Sequence, residues 1–169
     1  MSKTRLEAFS DGVIAILITI MVLELRTPDG ADWAALRALV PVLLTYVLSF
    51  VYLGIYWNNH HHMLHAADRV NGKVLWANLH LLFWLSLVPF TTAWVGHNHS
   101  APVPTAAYGV VFLLAGAAYT LLQNTLISQR GANSRLREAV GRDLKGKVSV
   151  VLYGCAIPLA FLNQWISDA

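Results

Sequence analysis

Asp11 sits at the edge of the first apolar run of the chain, between Ser10 and the uncharged stretch from Gly12 to Leu23. A carboxylate beside hydrocarbon costs on the order of 3 kcal/mol or more unless it is paired, so Asp11 is a functional or structural group by default. A second concentration of polar side chains gathers Trp57, Asn58, Asn59, His60, His61, His62, His65 and Asp68, followed by Asn78 and His80. On a helix, His61 and His65 share one face at i, i+4, and His62 and His65 do so at i, i+3, spacings at which two imidazoles can reach one metal ion. A structural zinc site wants four ligands, so no metal is expected to be needed for folding, and His97 with His99 make a weaker case still. Other chemistry is scarce. The chain has no Thr-Val-Gly-Tyr-Gly filter, Walker glycine loop, nucleophile elbow or His-Glu-x-x-His pair. Its single cysteine, Cys155, lies in an apolar run and reads as a small buried hydrophobe.

The elements that carry these residues belong in a membrane. Of 169 residues, 56% are hydrophobic and only 12% charged, with a mean hydropathy of +0.52. That is about half the charge of an ordinary soluble domain. A spanning helix needs about 20 mostly apolar residues, and five segments qualify: about Leu6 to Leu25, Trp33 to Trp57, Val74 to Val95, Val103 to Ile127 and Val148 to Ile166. The expected fold class is therefore all-α, a single polytopic helix bundle over residues 1–169. Pro41, Pro89 and Pro158 fall inside the spans, whereas Pro28 to Gly30 and Ala101 to Pro104 mark turns. Ten of the twelve Lys and Arg residues fall at the N-terminus and in the second and fourth connections, which places the N-terminus in the cytoplasm. With a formal charge of only +3 and no basic face, nucleic acid is not an expected partner. Trp33, Trp57, Trp94 and Trp165 close their spans as interfacial anchors, and residues 128–147 form the one long polar connection. Glu7 and Asp11 before the first apolar run argue against a cleavable signal peptide.

Within the first span, Gly12, Ile16, Thr19, Ile20 and Leu23 share one helical face, and Ser10 and Asp11 point off it toward neighbouring helices. A stripe of this kind is either a packing seam or the lining of an aqueous path.

Arg5, Phe9, Ser10 and Asp11 stand in the order Arg-x-x-x-Phe-Ser-Asp, and this resembles the signature that opens the first helix of the transmembrane protein 175 family. Trp57 with His60 and His61, Leu75 and Trp76 with Asn78, and Pro89 with Phe90 are similar to that family's second and third helices. The resemblance runs from Arg5 to about Trp165. It implies a potassium-permeable channel of a prokaryotic plasma membrane, a homotetramer with lipid around it, potassium ions as its cargo and no cofactor. By the same resemblance the first helix lines the pore. Ile16, five positions after Asp11, forms the constriction, with Ile20 and Leu23 one and two turns on. Selectivity falls to Ile16 and Thr19, while Arg5, Phe9, Ser10 and Asp11 hold the first helix against Trp57, His60 and Asn78. One departure stands out: five spans are visible where the family repeat has six. The alternative is a secondary transporter or metal-ion permease using Asp11 and the histidine cluster, against which the lack of inverted repeats or a broken helix weighs.

Overall fold

The computed structural model describes residues 2–67, 69–98 and 101–128. They form six helices: α1 (Lys3–Leu23), α2 (Trp33–Ala38), α3 (Val40–His65), α4 (Gly72–Ser86), α5 (Val88–His97) and α6 (Pro102–Ser128). No strand occurs among the described residues. Four spans are long and apolar enough to cross a membrane: α1, α3, α4 continued by α5, and α6. The expected fifth span, its Trp165, Pro158 and Cys155 lie outside the described residues.

Local signals set the helix starts. Ser2, Asp32 and Asn71 are N-caps whose side-chain oxygens accept from the N–H of Arg5, Ala35 and Val74, respectively. Each satisfies one donor that the first helical turn leaves without a partner. Prolines set the breaks. Pro41 and Pro89 each occupy the second position of a helix, where a missing N–H costs nothing, and one residue, Leu39 or Leu87, separates that helix from the one before it.

This corrects the expected second span. Pro41 ends α2 and starts a new helix that runs to His65, so the span is Val40 to His65 and not Trp33 to Trp57. Trp57 therefore lies inside α3 and closes no span, and Trp33 opens the short, unburied α2. The third span is also interrupted. Leu87 keeps right-handed helical angles (φ −86°, ψ −10°), so the break is a kink and not an unwound stretch. The turn expected at Ala101 to Pro104 is instead the first turn of α6, where Pro102 and Pro104 are tolerated for the same reason as Pro41.

The core lies where α4 packs along α6 and α3 along α5. Leu53 and Leu64 of α3, Val74, Leu81 and Leu85 of α4, and Phe112, Ala115 and Leu122 of α6 are fully buried in it. Gly96 allows a close approach of α5 to α3, since a Cβ there would lie 3.2 Å from Val42 Cγ1. Helix α1 packs against α3, α4 and α5 through one face only.

Candidate pore face and its anchor

Two stripes divide α1. Leu6, Ser10, Ile14, Leu17 and Met21 recur every three or four residues, and all are buried. On the other side Gly12, Ile16, Thr19, Ile20 and Leu23 are uncovered, Ile16 being 57% and Leu23 80% exposed, whereas the adjacent Leu17 is only 6% exposed. A Cβ at Gly12 would meet nothing within 4 Å. Thr19 donates its hydroxyl hydrogen to the carbonyl of Ile16 at 2.8 Å. Its oxygen is left to act outward only as an acceptor, which is the polarity a cation needs.

The buried stripe is held at its N-terminal end by a directional chain of hydrogen bonds. Asn78 donates from Nδ2 to Ser10 Oγ at 3.0 Å, and Ser10 in turn donates to the carbonyl of Leu6 at 2.9 Å. The Asn78 oxygen then faces His60 Nε2 at 2.7 Å, so that nitrogen must be the one that carries the proton. All three side chains are buried, and the chain runs from α3 through α4 to α1. Beside it, Trp57 donates its indole N–H to Asp11 Oδ1 at 3.0 Å. A third tie joins Lys3, whose ammonium donates to the carbonyl of His65 at 2.7 Å and lies 3.9 Å from Glu7. A cation on the last carbonyls of α3 also complements that helix's dipole.

Ser10, Asp11, Trp57, His60 and Asn78 thus meet at one end of the bundle, as the sequence suggests. Two expected members do not join them. Phe9 is 50% exposed, and the Arg5 guanidinium has no hydrogen bond or ion pair among the described residues. Helical geometry explains Phe9, since it lies on the uncovered side of α1, 100° from Ser10. The other histidines are dispersed. His80 accepts from the Trp84 indole at 2.9 Å, His97 bonds the carbonyl of Ala93, and His61, His62 and His65 lie exposed on α3. Among the described residues no three metal-ligating groups converge.

Sequence reasoning missed a second polar contact toward the other end of α1. Thr92 of α5 donates to Ser49 Oγ at 2.7 Å, Ser49 and the Tyr108 hydroxyl of α6 are 3.0 Å apart, and Met21 Sδ of α1 lies 4.0 Å from Thr92. The signal available was a lone serine and a threonine pair inside apolar spans, positions at which a hydroxyl must find a partner on another helix.

Comparison with known proteins gives concordant matches. The family described as endosomal/lysosomal potassium channel TMEM175 matches residues 5–89. A potassium channel of a Chryseobacterium species is 51% identical over 167 residues, covering 99% of this chain and 87% of that protein. A potassium channel of Streptomyces collinus is 36% identical over 126 residues, 70% of this chain and 61% of that one. The crystal structure of a lysosomal potassium-selective channel TMEM175 homolog from Chamaesiphon minutus superposes with a TM-score of 0.85 at 28% identity, covering 98% of this chain and 90% of that one.

Proposed function

Since the chain belongs to the TMEM175 potassium-channel family, we propose that it conducts potassium passively through a central pore lined by α1 of several copies. The observation that carries this reading is the uncovered stripe of α1. Among the described residues, one chain buries the Leu6 to Met21 face and leaves Gly12, Ile16, Thr19, Ile20 and Leu23 exposed. A single stripe cannot enclose an axis, and closed rotational symmetry lets identical stripes do so. Four copies of Ile16 make a narrow apolar ring at which a cation sheds part of its hydration, and the Thr19 oxygens one turn away compensate in part. Ile20 and Leu23 extend the apolar lining. The transporter reading has less support, because the kink at Leu87 keeps helical backbone and Asp11 and His60 are already engaged by Trp57 and Asn78. Reversal potentials of the protein in liposomes under bi-ionic potassium and sodium gradients test the proposal. A passive current whose reversal follows the potassium gradient is expected, and flux that persists only with a coupled counter-ion overturns it.

A further inference from the structure

The inner end of α3 carries a feature the channel reading does not use. Trp57, His61 and His65 follow one another at i, i+4 and i+8 along one exposed stripe. The rings of His61 and His65 lie nearly parallel, 18° apart, with centroids separated by 6.1 Å. Neither ring nitrogen of either residue makes a hydrogen bond among the described residues, in contrast to His60, His80 and His97. Imidazole nitrogen binds zinc at about 2.0–2.1 Å, so in a tetrahedral set two rings on one ion have centroids roughly 5 Å apart, and the pair at 6.1 Å closes by about 1 Å and turns both nitrogens toward one point by side-chain rotation on binding. His62 meets His61 edge-on at 5.5 Å and faces another way. Of the α1 carboxylates at this end of the bundle, Asp11 is taken by the Trp57 indole and Glu7 lies 3.9 Å from the Lys3 ammonium.

We propose that His61 and His65 form an exchangeable two-histidine site for a transition-metal dication of the zinc, nickel or copper class, with water completing the coordination. Neutral imidazole suits these ions and not potassium, magnesium or calcium, which prefer oxygen. With only two protein ligands the site is occupied according to metal supply and carries no folding role. Trp57 reports on it, because its indole lies against His61 with centroids 6.2 Å apart, one turn before the bound ion.

The test uses the full chain in detergent, with no histidine tag, titrated with nickel chloride alone. Calorimetry reads binding and tryptophan fluorescence reads proximity. Expected are a saturable transition well below about 1 mM and a midpoint raised about tenfold or more by either His61→Ala or His65→Ala. His62→Ala shifts the midpoint less than about twofold, and Trp57→Phe keeps calorimetric binding while losing most of the quenching. His61, His62 and His65 are exposed, so their variants fold, as size-exclusion profiles will verify, whereas Trp57→Phe also gives up the bond to Asp11 and its binding is read on the oligomeric fraction recovered. An unsaturable titration, a midpoint unmoved in His65→Ala, or loss of binding in His62→Ala alone overturns the site. Each readout is independent of ion conduction, so failure here leaves the channel reading standing, and the reverse also holds.

Discussion

At the scale of single residues, neighbouring positions on α1 have opposite surroundings. Ile16 is uncovered and Leu17 is buried, and the two are separated by about 100° around the helix. Ile16→Asn shortens and hydrates the proposed ring. It is expected to raise conductance several-fold and to admit sodium, read as a collapse of the bi-ionic reversal potential toward zero. Leu17→Asn buries an amide at a cost of about 1–3 kcal/mol and is expected to lower yield and melting temperature with selectivity intact. The opposite pattern would mean the pore face lies elsewhere. Asn78 is the other decisive residue. Asn78→Leu leaves both the His60 N–H and the Ser10 hydroxyl short of a partner in a buried site, each worth about 1–3 kcal/mol. Thermal unfolding in detergent should show a larger loss for Asn78→Leu than for Ser10→Ala, and the double variant should fall short of their sum because the groups form one chain.

At the scale of helices, Asp11 decides how α1 is attached. Its bond from Trp57 is charge-assisted but half open, Trp57 being 45% exposed, so Asp11→Ala removes an orienting contact and not a buried charge. Assembly is expected to suffer more than conductance: oligomer yield on size exclusion should drop severalfold for Asp11→Ala and less for Asp11→Asn, and normal yield for Asp11→Ala would make the contact dispensable. The attachment of α1 was largely legible in the sequence. A carboxylate and a serine at the border of an apolar run demand partners, and the polar cluster from Trp57 to Asn78 lay at the same membrane face. Helix limits were legible where N-caps mark them and misread at Pro41. Hydropathy alone does not register that a proline ring breaks a helix while the apolar run continues, so α2 and α3 read as one span. The Ser49, Thr92 and Tyr108 contact was hidden for another reason. It joins three helices through uncharged hydroxyls, and no spacing within one segment encodes a partner on another.

For the whole molecule, the described residues form a bundle in which α4 and α6 pack most extensively and α1 leaves one face uncovered. A homotetramer is expected, measured by mass photometry or cross-linking in detergent and in lipid, and a monomer in both would sink the proposed pore. The attachment of α1 also has a mechanical consequence. Its hydrogen bonds to other helices from Lys3, Ser10 and Asp11 all fall in the first half of the helix, whereas Ile14, Leu17 and Met21 rest on apolar packing and a sulfur contact. The clasp at Ser10 is thus a fulcrum and the remainder of α1 a lever. At 1.5 Å rise per residue, a tilt of about 5° about Ser10 carries Leu23 through about 1.7 Å but Ile16 through only about 0.8 Å. In the proposed tetramer four such levers around an axis would flare at the far mouth while the ring at Ile16 changed half as much, so the bore at Leu23 would be the dimension most sensitive to how the bilayer presses on the bundle.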